Sequence, residues 1–399
     1  MQLTNRQLFL QHLALPSVDP EAIEVVKAKG IYLYTDTGEK YIDLVSGVSV
    51  SNVGHLHPKV VDAVKAQLDN YMHLMVYGKY IQSPQVKLAG LMAENLPSKL
   101  DSVFFVNSGS EAIEGALKLA KRVTGRTEII SFNKAYHGST HGALSVLGNE
   151  EMKNAYRPLL PDIRFLNFND KTELEQITEH TACVIVEPVQ AEAGIILPAD
   201  DYLKALKQKC DVIGTLLIFD EVQMGFGRTG KLFAFENFDV IPDIICLAKG
   251  MGGGMPIGAF VSSKDNMNKL TFNPALGHIT TFGGHPVSAA AALASLKIIL
   301  DDKLSEKAVD KGLKIKAALI NHLAVKEIRQ IGLMLGVELK DEYDTTTMVK
   351  ILKKNKLIVD QFLFNDRSFR IAPPLTITED EIQEVVESVI KSLDELTAL

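Results

Sequence analysis

The sequence has no tryptophan, only three cysteines and no extended apolar run. Cys183, Cys210 and Cys246 are widely separated and no two form a C-x-x-C pair. Neither a zinc site nor a disulfide framework is therefore indicated, no metal site is expected, and three reduced thiols are. No stretch approaches the roughly 18 consecutive apolar residues of a membrane-spanning helix. The opening residues, MQLTNRQLFLQHLALP, lack a basic segment leading into a long apolar one, so the expected compartment is the cytoplasm. Blocks of basic residues are missing too, and the net charge is −7, which sets aside nucleic acid and anionic membranes as expected partners. What is present is the composition of an ordinary folded protein, 46% hydrophobic and 23% charged. A chain of 399 residues exceeds one small core, so a large domain with a smaller one beside it is expected.

Short apolar runs alternate with helical patterns through the middle of the chain. Ser102–Val106, Glu128–Ser131, Cys183–Val186, Thr215–Phe219 and Ile244–Ala248 read as buried strands. Glu111–Val123 and Tyr202–Cys210 carry apolar residues at helical spacing. This alternation predicts βα units and an α/β fold: a mostly parallel sheet covered by helices on both faces. Residues 31–43 suggest two short strands about a turn at Asp36–Glu39, and from about residue 303 the chain reads helix, short strands, helix, then an amphipathic helix near Glu379–Leu393. The large domain is placed at 51–290. The smaller α+β domain combines 1–50 with 291–399.

Three segments carry chemistry. Lys249 follows the Ile244–Ala248 run and precedes Gly250-Met251-Gly252-Gly253-Gly254-Met255-Pro256. No helix continues through that run, so Lys249 sits where a strand opens into a loop, the place where open α/β sheets bind ligands. Apolar surroundings would desolvate its amine and keep it neutral for attack on a carbonyl; a surface lysine beside a flexible loop is the plainer alternative. Asp220 and Glu221 end the Thr215–Phe219 run, where buried acids need a positive partner, although a helix cap or surface ion pair also fits. Asn107-Ser108-Gly109-Ser110-Glu111 joins a strand to a long helix, offering N–H groups to a phosphate or a simple N-cap.

Together with GIYLYTDTGEKYIDLVSG, VGHLHP, NSGSEAIEGALKLAK, YHGST, VEPVQAEAG, FDEVQMGFGRTG, LAKGMGGGMPIGA and TTFGGHP, these segments resemble the class III (fold-type I) pyridoxal 5'-phosphate (PLP)-dependent aminotransferases. That group includes the acetylornithine and ornithine aminotransferases. The likeness runs from about residue 30 to residue 375, and many motifs in family order are far more specific than any single glycine-rich loop.

The resemblance implies that Lys249 carries PLP as a Schiff base and, once displaced by an incoming amine, serves as the general base. Gly109 and Ser110 would contact the phosphate, Tyr136 would stack on the ring, and His137 belongs to the same motif. Asp220 would pair with the pyridinium nitrogen and Gln223 would bond the ring hydroxyl. Glu187 is placed among the cofactor contacts. Thr281 would reach the phosphate of a neighbouring subunit, implying a homodimer with shared active sites. Arg370 would receive a substrate carboxylate, Glu192 would pair with it in turn, and Ser139 and Thr280 are placed with the substrate. The implied reaction moves an amino group from an acetylornithine- or ornithine-like donor to 2-oxoglutarate by a ping-pong route. A 4-aminobutyrate-type donor, an aminomutase or racemase, and a non-catalytic PLP protein are the alternatives. Departures from the family pattern bear on substrate: Ser139 stands where the family's HGRT motif has arginine, Ala191 replaces a glycine, His285 replaces an asparagine, and Val48 stands where ornithine aminotransferases carry a substrate-contacting tyrosine.

Overall fold

A computed structural model describes residues 3–399. After a short helix, Asn5–His12, come three strands, β1 (Val25–Lys29), β2 (Tyr32–Thr35) and β3 (Lys40–Asp43), paired antiparallel with a turn at residues 36–39. The central sheet comprises β4 (Ser102–Val106), β5 (Glu128–Phe132), β6 (Ile163–Leu166), β7 (Thr181–Val186), β8 (Leu216–Asp220), β9 (Ile244–Leu247) and β10 (Gly258–Ser262). Their spatial order is β4-β10-β9-β8-β7-β5-β6, parallel from β9 to β6, whereas β10 runs antiparallel to both its neighbours.

The strands are apolar almost without interruption because both faces are covered. Ile130, Val184, Val186, Leu217, Phe219 and Ile245 point into one core. Ile129, Cys183, Ile185, Ile218, Ile244 and Cys246 point into the other, where helix Gly109–Thr124 packs Ala112, Ile113, Ala116 and Leu119 against them. That helix is well specified at both ends. Ser108 Oγ accepts the Glu111 N–H at 3.2 Å, Glu111 lies in the positive first turn, and Lys121 and Arg122 lie in the last. Gly125 then ends it at φ 70°, a left-handed position that costs glycine little. The three cysteines are buried thiols without disulfide partners, and burial pushes Cys183 up to about 12.

Beyond helix Pro286–Asp301 the chain forms the smaller α+β region. It contains β11 (Val325–Ile331), β12 (Met334–Leu339), β13 (Leu357–Ile358), β14 (Gln361–Phe362) and β15 (Asn365–Ile371), with helices Leu304–Leu319, Thr345–Lys354 and Glu379–Thr397. Four of these strands make an antiparallel sheet, β11-β12-β15-β14, while β13 leaves it and pairs in parallel with β3. The N-terminal strands are thereby tied to the C-terminal part of the chain. Strands β6 and β10 were not among those expected from sequence. The charged Arg164 interrupts the first, and the second emerges straight from the glycine-rich loop. Among the described residues no helix is long and apolar enough to cross a membrane.

Candidate active site

The C-terminal ends of β4, β8 and β9 converge on a cavity of about 690 Å³. Asp220 is the last residue of β8, and Lys249 follows β9 by two positions. Lys249 is half-buried on the cavity wall with φ 48°, a left-handed conformation that a non-glycine residue adopts at some cost. Burial lowers its amine pKa and outweighs the opposing pull of Glu192; the Arg370 charge lowers it further, while Asp220 and Glu187 also oppose. Asp220 Oδ2 sits 2.7 Å from His137 Nδ1 and Oδ1 accepts the Val222 N–H at 3.0 Å, so both carboxylate oxygens are held. Glu221, its neighbour, points elsewhere and accepts the N–H groups of Ala234 and Phe235. The charged partner expected for two adjacent acids is needed by only one of them; backbone donors satisfy the other. Burial still raises Glu221 to about 8.

Opposite Asp220, the start of helix Gly109–Thr124 is pressed against the end of β8. A Cβ on Gly109 would stand 2.6 Å from Val222 Cγ1. Gly138, at φ 128°, is packed as closely: its Cβ would stand 2.1 Å from Ser110 Oγ and fill the space before the helix. Ser110 Oγ accepts the N–H groups of Ser139 at 3.1 Å and Thr140 at 3.3 Å, drawing the two loops together. Tyr136 and Ser139 share the wall, their hydroxyl oxygens 3.3 Å apart. Glu187 lies beneath, accepting the Tyr136 and Ala191 N–H groups. Burial and the nearby Asp220 charge push its pKa well up.

Gln223 connects the cavity to a second buried cluster. Its Oε1 accepts from Arg370 at 2.9 Å and its Nε2 donates to Glu192 at 3.0 Å, while Arg370 also bonds Glu192 at 2.7 Å. The Arg370 and Glu192 side chains are 1% and 6% exposed, so this is no surface ion pair. Burial alone would raise Glu192; the Arg370 charge and the Gln223 bond outweigh it and hold the carboxyl below its ordinary range.

Gly109, Ser110, Tyr136, His137, Ser139, Glu187, Asp220, Gln223 and Lys249 thus share one cavity. Thr280 and Thr281 do not line it. Thr280 Oγ1 accepts from Asn107 Nδ2 at 2.8 Å just outside the wall, and exposed Thr281 lies 3.3 Å from Tyr77 Oη. Val48 is half-buried, and Val50 is the valine that lines the cavity. His285 keeps a capping function, its Nδ1 accepting the Val287 N–H at 3.3 Å at the start of helix Pro286–Asp301.

Two features were missed in the sequence. Residues Ser46, Gly47, Val48 and Ser49 are all left-handed, with φ between 55° and 61°. Asp43 holds this turn by accepting the Val45 and Ser46 N–H groups, and Ser46 Oγ bonds Ala372 O. The second is Arg228, fully buried, which donates to Leu333 O, Pro373 O and Asn52 Oδ1. Its place in FGRTG, shortly after a buried strand, was the available signal.

The aminotransferase class III family profile matches residues 15–393. The chain belongs to the class III aminotransferases. It is 40% identical to the acetylornithine aminotransferase of Methanopyrus kandleri over 93% of this chain and 94% of that protein. It is 35% identical to the [LysW]-aminoadipate semialdehyde/glutamate semialdehyde transaminase of Sulfurisphaera tokodaii over 94% and 95%. Among solved structures, the ornithine aminotransferase of Toxoplasma gondii superposes with a TM-score of 0.92 at 30% identity, covering 100% of this chain and 97% of that one. As a class III aminotransferase, the protein is a PLP-dependent enzyme that takes an amino donor and a keto-acid acceptor. The residues present fit that cofactor: a helix N-terminus with a space before it that a Cβ at Gly138 would fill, an acid fixed at the strand end, and a desolvated lysine, all on one cavity.

Proposed function

We propose that the enzyme transfers the amino group of an acetylornithine- or ornithine-type ω-amine donor to 2-oxoglutarate, by a ping-pong route in which the donor's carbonyl product leaves before the acceptor binds. The observation that carries this reading is the buried Arg370–Glu192 pair, joined through Gln223 to the cavity that holds Lys249. A planar, permanently charged guanidinium takes carboxylates in a bidentate fork. With Glu192 on Arg370, the cavity admits a donor whose reacting end has no carboxylate; with Glu192 displaced, the same fork receives an acidic acceptor. The relatives named acetylornithine and ornithine aminotransferases support the donor class.

PLP, when bound, supplies an electron sink for the carbon that loses its proton. Lys249 Nζ holds the cofactor and then carries the proton at that carbon. Asp220, fixed by His137, keeps a proton on the ring nitrogen. The helix N-terminus at Gly109 and Ser110 receives the phosphate, Tyr136 flanks the ring, and Glu187 and Gln223 complete the lining.

The active assembly is a homodimer in which Thr281 serves the partner's site. In support, Thr281 faces outward beside Tyr77, and residues 72–81 and 279–282 expose Met72, Leu74, Met75, Ile81, Ile279 and Phe282, apolar side chains of the kind a subunit interface covers. The His73 and Phe282 rings meet there at 4.9 Å in a tilted arrangement.

A panel of amines assayed against 2-oxoglutarate, following glutamate, tests the reading. Acetylornithine or ornithine should lead the panel, with parallel double-reciprocal plots. Turnover without any oxo-acid would instead mark an aminomutase or racemase.

A further inference from the structure

Arg370 faces two acids, and only Glu192 has been given a role. Asp360 lies between β13 and β14, beside Arg370 across the hairpin, and its carbonyl accepts the Arg370 N–H at 2.9 Å. Its Oδ1 is 3.4 Å from Arg370 Nε. Both atoms are shielded from solvent and neither has a hydrogen-bond partner. The two groups already form an ion pair at this distance, but no aligned hydrogen bond joins them, so a small side-chain movement would complete one. The Asp360 side chain is 34% exposed; burial pushes its carboxyl up to about 6 against the opposing pull of Arg370, which still leaves it ionised at neutral pH.

The same strap also contacts Glu192. Leu363 N–H bonds Glu192 Oε2 at 3.2 Å, Phe364 N–H bonds Glu192 O at 3.0 Å, and the Phe362 ring lies 4.8 Å from the Arg370 guanidinium carbon. Arg370 therefore has a removable partner on one edge of its fork and a resident one at Nε. When Glu192 leaves, a guanidinium 1% exposed would otherwise stand with Gln223 alone beside the buried charge of Arg228. Leaving such a charge uncompensated is costly.

We infer that Asp360 is a positioning residue that pins Arg370 through Nε while Glu192 is exchanged for the acceptor's carboxylate. This rests on the reading of Arg370 as the carboxylate receptor. Its effect belongs to the half-reaction in which the fork is open; the donor half-reaction, run with Glu192 in place, does not need it.

The test uses the PLP-loaded enzyme and glutarate, a dicarboxylate that binds without reacting, measured by titration calorimetry beside steady-state kinetics. Asp360→Ala should weaken glutarate binding and raise the KM for 2-oxoglutarate by about 10-fold or more, with kcat and the single-turnover rate of the donor half-reaction close to wild type. Asp360→Asn, which keeps an acceptor at Oδ1, should recover most of the loss. Asp360→Ser gives the same readout should the alanine variant not fold. Unchanged glutarate affinity in Asp360→Ala, or an equal loss in both half-reactions, overturns the inference. Arg370→Gln separates the two readings. If it abolishes glutarate binding while Asp360→Ala does not, only the role of Asp360 falls; if it leaves glutarate binding intact, the carboxylate receptor is elsewhere and both fall.

Discussion

His137 Nδ1 lies 2.7 Å from Asp220 Oδ2, with both side chains shut away from solvent. The imidazole arrives on the loop after β5 and the carboxylate ends β8, so the contact fixes the acid from a separate segment of the sheet. With Val222 N–H on the other oxygen, Asp220 has one orientation. Substituting Asp220→Asn should retain PLP, because the phosphate contacts are untouched, yet lower kcat by about 100-fold or more, the scale seen when one preorganised electrostatic contact is removed. Cofactor absorbance alongside turnover decides it; near-normal turnover would mean another acid faces the ring nitrogen. His137→Gln should cost less, since it frees the carboxylate without removing it.

Lys249 offers a pH test. Its amine must be neutral to attack the PLP aldehyde, and burial lowers its pKa from 10.5. A lowered value means the neutral form is already present at a pH where an exposed lysine is still charged. The rate at which cofactor-free protein attaches PLP should therefore rise with pH and reach half its maximum below 10.5. Borohydride reduction followed by peptide mass spectrometry reads the attachment. In Lys249→Ala the label should vanish from this position together with turnover, and a label elsewhere would reassign the attachment site.

The parts of this site that could be read in the sequence are those dictated by local physics. Apolar runs such as Thr181–Val186 are continuous because both faces of the sheet are buried, and Lys249 and Asp220 stand out where such runs stop. Gly138 is harder to read, since its necessity comes from Ser110, distant in sequence. The reversal of β10 was invisible because pairing direction depends on β4 and β9, not on Gly258–Ser262. Arg228 and Asp360 look like surface charges in sequence, and only the assembled C-terminal sheet buries the first and sets the second beside Arg370.

Arg228 should matter for stability. It donates to Leu333 O, Pro373 O and Asn52 Oδ1, joining three separated parts of the chain. Burial pulls its guanidinium down to about 9, partly opposed by Asp43, which still leaves it charged at neutral pH. Arg228→Met fills similar volume but strands three acceptors, each worth about 1–3 kcal/mol when buried and unpaired. A loss of about 3 kcal/mol or more is expected in urea unfolding, with Arg228→Lys between it and wild type. A midpoint unchanged in the methionine variant would show that water replaces the guanidinium.

Thr281 tests the shared site. If it serves the partner's cofactor, a mixed dimer of one Lys249→Ala subunit and one Thr281→Ala subunit contains one doubly damaged site and one intact site. Differently tagged subunits, co-expressed and purified as heterodimers, should then show about half the wild-type activity per dimer. A heterodimer no better than the Thr281→Ala homodimer would place Thr281 in its own subunit's site.

The last expectation concerns Ser139, which lines the cavity beside Tyr136 where the family's motif carries arginine. An arginine there would add charge-assisted hydrogen bonds worth about 1.5–3 kcal/mol each, roughly 10- to 150-fold in binding. The serine hydroxyl, 3.3 Å from Tyr136 Oη, supplies no charge for a second carboxylate. Recognition then falls to Arg370, so donors with one carboxylate, or with an amine far from it, should be favoured over those needing two anchors. Measuring kcat/KM for acetylornithine, ornithine, 4-aminobutyrate and simple ω-amines in wild type and Ser139→Arg checks this. The variant should gain selectively on acidic donors, by up to about 10-fold or more, with simple amines unchanged or worse. If every substrate shifts equally, the residue shapes the loop held by Ser110 instead of reading the substrate's charge.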